Sequence, residues 1–316
     1  MRITLLAGGV GAARFLRGLT AEAPDAEITV IGNTADDITL FGLHVSPDLD
    51  TVMYTLGGGI SEDQGWGRDG ETFTVLSELA AYGAGPDWFN LGDRDFATHI
   101  HRTSMLAAGL PLSAVTRVLC QRWRPGVQLL PMSDDPVQTR VVLRADGQER
   151  TVHFQEWWVR LHAEVPAARF EFAGAAEARP APGVLEAIAA ADLVLLPPSN
   201  PVVSIGPILA VPGIAGALRA KTVVGVSPII GGAPVRGMAD ACLSAIGVAT
   251  TAAAVAAHFG PGLLAGWLVD EQDKAAADSP ELAGIAVRAL PLYMTDVPAA
   301  AAIARAALAL GAELAR

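Results

Sequence analysis

Residues 3–33, ITLLAGGVGAARFLRGLTAEAPDAEITVIGN, decide the fold. The apolar run ITLLA ends in a glycine turn at Gly8, Gly9 and Gly11, and the following AARFLRGL has the apolar spacing of an amphipathic helix. A second apolar run, EITVIG at 27–32, begins after the turn residues at 24–25. Strand, glycine turn, helix and strand in this order predict a βαβ unit of a parallel sheet.

The same alternation of apolar runs and helical stretches occurs in the second half of the chain. Apolar runs at 192–197, 221–228 and 264–270 alternate with helical stretches, which predicts further parallel strands. We therefore predict an α/β protein with a Rossmann-like parallel-sheet core formed by residues 1–125 and 185–316. The order of strand, glycine turn and helix favours a nucleotide as the ligand of this core, and ligands of open α/β sheets lie at the carboxyl ends of the strands.

The stretch between these halves is different in character. TRVVLRADGQERTVHFQEWWVRL, residues 139–161, has β-branched and aromatic runs on both sides of Asp146-Gly147. Asp-Gly between two such runs is a strong hairpin signal. We predict a smaller α/β insertion with this hairpin over residues 126–184.

Composition narrows the possible partners and location. The chain has 316 residues, a net charge of −11 and 51% hydrophobic residues. A nucleic-acid-binding protein presents a positive surface to the phosphates, so this charge argues against nucleic acid as a partner. The two cysteines, Cys120 and Cys242, lie in apolar helical patterns and are expected to be buried free thiols. The glycines close to the start interrupt any signal-like apolar stretch, which favours a cytoplasmic protein that does not enter a membrane.

The glycine turn suits a phosphate group, because its backbone N–H groups lie at the head of a helix. The alternative is that these glycines only allow tight packing of the helix on the strand. A nicotinamide dinucleotide is disfavoured: Arg14 stands where a third glycine is usual, and the second strand ends in Asn33 rather than an acidic residue. Asn33 could instead hydrogen-bond a ribose or a base.

Four aspartates, Asp36, Asp37, Asp48 and Asp50, follow the second strand within fifteen positions. Carboxylates beside a phosphate site are the ligands that Mg²⁺ prefers, with its other positions left to water and substrate phosphate. Aspartates also cap helices and stabilise turns, and at least two of these four are expected to do only that. The segment predicts a magnesium site without deciding which aspartates form it.

Three further loops carry polar residues that ordinary connections would not need. In GDRD at 92–95, Arg94 lies between two aspartates, where it could clamp an anionic group or form a structural ion pair. PPSN at 197–200 offers Ser199 and Asn200 to a ribose, base or phosphate. The segment 226–237 repeats the strand-then-glycine arrangement with Gly231 and Gly232, and Arg236 follows them.

Taken together, AGGVGAARFLRGL, GNTADDITLFGLHVSPDLDTVMYTL, WFNLGDRDFATHIHRT, MSDDPVQTRV, PPSNPVVSI and VSPIIGG resemble the 2-phospho-L-lactate transferase family of coenzyme F-420 biosynthesis. The chain is also similar to the actinobacterial branch, in which the donor carries phosphoenolpyruvate. The resemblance implies a Mg²⁺-dependent transferase. It would move a phospho-three-carbon-acid unit from a guanosine diphosphate-activated donor to the 5′-hydroxyl of the deazaflavin Fo and release GMP.

The resemblance also implies roles for individual residues. It puts the Gly8–Gly11 turn, Asn33, Ser199, Asn200 and the Gly231-Gly232 loop on the nucleotide, and Asp50 and Arg94 on Fo. Asp50 could orient the hydroxyl, accept its proton or hold the metal, so it is also the catalytic candidate. The family commonly has Lys-Gly-Pro where this chain has Arg236-Gly237-Met238.

Two other classes remain open from the sequence. Relatives with a similar core bind UDP-sugars and act as regulators rather than enzymes, although the Asp48–Asp50 and 92–95 segments favour the transferase. A nicotinamide dehydrogenase is the third class. A homodimer that acts on small molecules is expected.

Overall fold

The computed structural model describes residues 1–145, 147–260 and 262–315. A seven-stranded parallel sheet forms the centre, and its strands in chain order are β1 (Arg2–Ala7), β2 (Glu27–Gly32), β5 (Gln128–Pro131), β9 (Leu193–Leu196), β10 (Val223–Val226), β13 (Gly266–Val269) and β14 (Ala286–Ala289). Their spatial order is β14-β13-β10-β9-β1-β2-β5. The predicted α/β fold with a parallel-sheet core is confirmed.

The central strands are apolar on both faces because helices cover both. Strands β9, β10 and β13 are buried along their whole length, as in other parallel sheets. The helices are α1 (Gly9–Glu22), α2 (Pro47–Leu56), α3 (Thr74–Ala81), α4 (Asp93–Ala107), α5 (Leu112–Trp123), α6 (Val184–Ala190), α7 (Gly206–Ala210), α8 (Ile214–Leu218), α9 (Ala239–Ala245), α10 (Ala252–His258) and α11 (Val297–Leu314). Helices α1, α2, α5 and α11 share one apolar cluster with the sheet, and α6 to α10 share the other.

Helix α11 closes the fold against α1. Asp296 caps its start, since the Asp296 Oδ1 accepts a hydrogen bond of 2.8 Å from the Ala299 amide. The helix is long and apolar enough to cross a membrane by length and composition alone, with a mean hydropathy of 1.5. Ile303, Ala307 and Leu310 are buried in the cluster that α11 shares with α1 and the sheet, which is the environment of a core helix.

A three-stranded antiparallel sheet, in the order β7-β6-β8, interrupts the parallel topology. Its strands are β6 (Gln138–Ala145), β7 (Gln148–His153) and β8 (Ala167–Ala173). Short helical turns elsewhere in the chain lie at Glu156–Arg160, Pro201–Ile205, Glu271–Asp278 and Pro280–Leu282. The predicted hairpin between β6 and β7 is confirmed, and Asp146 of its turn lies outside the described residues. Strand β5 pairs with β2 in the main sheet although it falls within 126–184; the division into core and insertion remains a prediction.

Two short hairpins were not predicted from the sequence. One joins β3 (Ile38–Leu40) to β4 (Leu43–Val45), and the other joins β11 (Ile229–Ile230) to β12 (Ala233–Pro234). The turn of the first has positive φ at Phe41 (53°) and Gly42 (76°), the conformation that two-residue hairpin turns need. This hairpin separates the aspartates after β2 from those in α2 and so fixes how they meet.

Candidate functional site

A cavity of about 680 Å³, here called the main cavity, lies at the carboxyl edge of the parallel sheet. The loops after β1, β2, β9 and β10 line it together with the start of α2 and part of the antiparallel sheet region. Of the residues predicted for the site, those that line it are Gly8, Gly9, Gly11, Asp36, Asp48, Ser199 and Asn200. Its volume is within the range of small-molecule and cofactor sites.

The glycine turn serves packing as well as the cavity. A side chain at Gly8 would overlap Ser204, and one at Gly11 would overlap the carbonyl oxygen of Pro198. Gly9 has φ of 69°, a conformation that side chains rarely adopt. The glycines are therefore needed for close packing, as the alternative interpretation holds. The same backbone also lines the cavity at the start of α1.

Ser199 and Asn200 lie on the wall of the main cavity but also hold their own loop. The Ser199 hydroxyl donates to the carbonyl of Gly8 at 3.0 Å. The Asn200 Oδ1 accepts from the amides of Val202 and Val203 at 3.0 and 3.2 Å, as the N-cap of the Pro201–Ile205 turn. Both side chains therefore join the loop after β9 to the glycine turn and to its own backbone.

Asn33 does not reach the main cavity. Its side chain is fully buried, and Nδ2 donates to Asp48 Oδ2 at 2.9 Å and to the carbonyl of Val203 at 3.4 Å. Its Oδ1 accepts from the amide of Ala35 at 3.0 Å. In this structure Asn33 orients Asp48, which lines the cavity, and Asn33 itself is not part of the lining. Its predicted contact with a nucleotide remains a prediction.

Asp36 and Asp48 form the carboxylate pair of the main cavity. Burial raises the pKa of Asp36 well above its usual range, and the neighbouring Asp48 and Asp37 raise it further. Burial likewise raises the pKa of Asp48 to about 7, against the opposing hydrogen bond from Asn33. Asp36 Oδ1 is buried and has no hydrogen-bond partner among the described residues. Two such carboxyls carry an electrostatic cost that a bound cation would remove.

Asp37 and Asp50 point elsewhere. Asp37 Oδ2 accepts from the Ser46 hydroxyl at 2.7 Å and lies 2.8 Å from His44 Nε2. Asp50 is paired by both oxygens with the guanidinium of Arg102, with one bond of 3.0 Å to Oδ2 and a second to Oδ1. Arg102 and Asp50 are buried, with exposed fractions of 1% and 5%.

These contacts distinguish the four aspartates of the predicted magnesium site, which remains a prediction. In the described parts of the chain, no three His, Cys, Asp or Glu side chains converge on one point. Mg²⁺ is usually held by one or two carboxylates plus substrate phosphates, which Asp36 and Asp48 can supply. The unpartnered oxygen of Asp36 agrees with that role, whereas the oxygens of Asp50 are occupied by Arg102.

Arg94 and the Gly231-Gly232 turn are outside the lining of the main cavity. Arg94 is exposed at the start of α4, and its guanidinium donates to the carbonyl of Asp69 at 2.8 Å. Gly231 and Gly232 form the exposed turn between β11 and β12, where the Gly231 amide donates to Asp273 at 2.9 Å. Their predicted ligand contacts remain predictions.

Two arginines complete the electrostatics of the main cavity. Arg14 and Arg236 both line it, and burial followed by the charge of Arg14 lowers the pKa of Arg236. Arg236 donates to the carbonyl of Gln64, and no ion pair involves either arginine among the described residues. Two cations near each other in a chain of net charge −11 indicate an anionic ligand. Arg14 follows the glycine turn in α1, and the sequence pattern indicated only that it replaces the third glycine of a dinucleotide-binding fingerprint.

Aromatic residues form a further wall that sequence reasoning missed. No local sequence motif indicates this wall, because its residues come from four separate segments of the chain. They are Trp66, Trp88, Phe89, Phe154, Trp158 and Tyr293. Trp66 and Tyr293 are 43% and 51% exposed, so large apolar faces are open to a ligand. Flat faces of this kind suit a ring system.

A buried carboxyl next to Asp50 gives a pH prediction. Burial, Asp50 and Glu71 raise the pKa of Asp95 to about 7. The native state therefore holds a proton that the unfolded state has released, so this group's contribution to stability falls as pH rises from about 4 through about 7. Asp95→Asn removes that loss, and its free energy of unfolding relative to wild type should rise by about 1 kcal/mol or more between pH 5 and pH 8. Urea unfolding at both pH values measures it, and a difference independent of pH would contradict the protonated state of Asp95.

The parallel sheet and the cavity at its carboxyl edge define a Rossmann-like α/β protein whose cavity combines arginines, carboxyls and aromatic rings. The sequence model of the 2-phospho-L-lactate transferase CofD family matches residues 3–286. The chain belongs to this family of transferases. The resemblance inferred from the sequence is thereby confirmed.

Similar proteins extend over the whole chain. Phosphoenolpyruvate transferases from Streptomyces griseus, Thermobifida fusca and Mycolicibacterium smegmatis are 66%, 65% and 54% identical to it, and each alignment covers at least 98% of both chains. Among solved structures, a protein of the upf0052 family from Bacillus halodurans superposes with a TM-score of 0.64 over 98% of this chain and 100% of that one. Its 19% sequence identity makes it evidence for the fold alone.

Proposed function

We propose that this protein transfers a phosphoenolpyruvate unit from a guanosine diphosphate-activated donor to the 5′-hydroxyl of the deazaflavin Fo and releases GMP. The three-carbon acid is assigned as enolpyruvate rather than lactate or glycerate because relatives at 54–66% identity are phosphoenolpyruvate transferases. The reaction belongs to coenzyme F-420 biosynthesis. Both substrates are small molecules, and a cytoplasmic homodimer is part of the proposal.

The observation that carries the proposal is the division of the main cavity into two chemical regions. Arg14 and Arg236 form its cationic region, and Asp36 with Asp48 forms its acidic region. A diphosphate donor needs the first to balance its charge, and an attacking hydroxyl needs a carboxylate near the reacting phosphorus. The aromatic wall offers the flat surface that a deazaflavin ring requires.

Mg²⁺ belongs to the proposal through the same acidic region. Asp36 and Asp48 would hold it, since they are the carboxyls of the predicted set that line the cavity and one of them has an unpartnered oxygen. When bound, the cation would neutralise charge on the diphosphate oxygens. Asp50 is assigned to packing because Arg102 occupies both of its oxygens, and Asp37 because it does not line the main cavity and its Oδ2 contacts Ser46 and His44.

The chain's own residues would act mainly by positioning and charge neutralisation. Arg14 and Arg236 would bind the donor phosphates, and the glycine turn would let the backbone approach them closely. Asn33 would keep the Asp48 carboxyl turned toward the cavity through its 2.9 Å hydrogen bond. Asp48, kept ionised by the cation, would accept a hydrogen bond and then the proton of the attacking hydroxyl.

Product analysis tests the proposed reaction directly. The purified protein would be incubated with Fo, Mg²⁺ and donors that carry enolpyruvate, lactate or glycerate, and the products weighed by mass spectrometry. The expected product is Fo joined to phosphoenolpyruvate, formed with one equivalent of GMP. Product from the lactate donor alone would overturn the assignment of the acid, and no product from any donor would overturn the transferase proposal.

Ligand protection supplies a prediction that does not depend on turnover. GDP should raise the melting temperature, and more so with Mg²⁺, because a ligand of the native state stabilises it by RT ln(1 + [L]/Kd), about 2.7 kcal/mol at 100-fold saturation. NADH and UDP-N-acetylglucosamine serve as matched controls and should protect little. Protection by UDP-N-acetylglucosamine instead of GDP would favour the UDP-sugar-binding regulator, and protection by NADH would favour a dehydrogenase.

A further inference from the structure

A second cavity of about 300 Å³ lies between α4, α5 and the segment that follows α2. It shares no lining residue with the main cavity. Its ionisable lining residues in the described chain are all basic: Arg68, His101 and Arg122. Its volume is at the small end of the range for ligand sites.

The two arginines are arranged around one aromatic ring. The guanidinium carbons of Arg68 and Arg122 lie 4.9 and 4.8 Å from the centroid of Trp123. Such stacking holds the planar groups in place while their N–H edges stay available for hydrogen bonds. The cavity therefore has prearranged donors rather than two freely moving side chains.

The donors of this cavity are not fully used within the protein. Arg68 donates from one terminal nitrogen to the carbonyl of Arg94 at 3.0 Å, and its other terminal nitrogen makes no hydrogen bond within the described residues. Arg122 takes part in no ion pair of the described chain. Unused guanidinium donors match the oxygens of a carboxylate or phosphate, often two at a time.

We propose that the second cavity binds a small oxyanion, a phosphate or carboxylate group, separately from the reaction in the main cavity. Arg68 and Arg122 supply its charge, and His101 and Thr98 lie on the same lining. Leu119 and Trp123 give the cavity an apolar flank, so an oxyanion attached to a flat or apolar group also fits its chemistry.

The test follows the indole N–H signal of Trp123 by NMR in protein labelled with ¹⁵N-tryptophan, with the signal assigned from Trp123→Phe. Inorganic phosphate and benzoate are titrated separately, so that the two arms distinguish the phosphate from the carboxylate source. At least one should shift the Trp123 signal saturably, and Arg122→Ala should weaken that binding about tenfold or more, as expected when a charged hydrogen-bonding partner is lost.

Arg117→Ala is the matched control. Arg117 is an exposed arginine on the same helix that does not line the cavity, so its replacement changes the net charge equally and should leave the titration unchanged. Three results would overturn the proposal: no saturable shift with either anion, normal binding in Arg122→Ala, or an equal loss in Arg117→Ala. Because the signal is local to Trp123, binding of phosphate in the main cavity does not obscure the result, and the outcome is independent of the proposed transferase reaction.

Discussion

Asp48→Asn is expected to lower kcat by about 10²- to 10³-fold while the protein remains folded. The amide has nearly the shape of the carboxyl and can still accept the hydrogen bond from Asn33 through its oxygen. It cannot accept the proton of the attacking hydroxyl and contributes no charge toward a cation. Loss of one such group in a transition state typically costs about 3–4 kcal/mol, and each 1.4 kcal/mol corresponds to about tenfold in rate.

Single-turnover measurement of product with Fo and the enolpyruvate donor checks this expectation. Asp25→Asn is the control, because Asp25 is an exposed aspartate in the turn after α1 and its replacement changes the net charge equally. A thermal melt of both variants establishes folding. Retention of more than about a tenth of wild-type turnover by Asp48→Asn would remove Asp48 from the reaction.

Asp50→Ala is expected to destabilise the protein by about 3–5 kcal/mol, because it leaves the buried guanidinium of Arg102 without its partner. If Asp50 were only the catalytic residue that the sequence resemblance implies, the variant would lose turnover without losing stability. The double variant Asp50→Ala/Arg102→Leu removes both charges and should recover much of the stability, since replacing a whole buried pair by apolar groups is often neutral.

Urea unfolding of the wild type, the single variant and the double variant measures these differences. The decisive comparison is between the two variants, because a purely catalytic Asp50 would give no stability change in the first and no recovery in the second. If Asp50→Ala kept wild-type stability and lost turnover, Asp50 would be a catalytic residue and its pairing with Arg102 would not be needed for stability.

The strands that the sequence predicted are those with long apolar runs. Helices cover both faces of β1, β2, β9, β10 and β13. Such strands consist of nearly continuous apolar residues, which can be recognised in the sequence without knowledge of their neighbours. Strands β5 and β14 were missed because they are short edge strands of the sheet; β14 reads AVRA and is only partly buried. An edge strand needs a neighbour to define it, and the local sequence does not contain that neighbour.

The candidate site was predicted in outline and not in its assignments. The turn after β1, the aspartates and the loop after β9 all reach one edge because parallel strands bring their carboxyl ends together. Which aspartate lines the cavity depends on the β3–β4 hairpin and on Arg102, which is 52 positions from Asp50 along the chain. Pairing over such a distance has no local signature, so the sequence could not separate Asp48 from Asp50.

The interior position of β1 in the sheet has a consequence for biosynthesis. One neighbour of β1, β2, follows it closely, but the other is β9, and Ile3 pairs with Leu193. At about 5–20 residues per second, the ribosome needs roughly 10–40 s to supply that partner. During this time the first strand made has an open apolar edge in the nascent chain, a place where chaperones bind and where unwanted strand pairing begins.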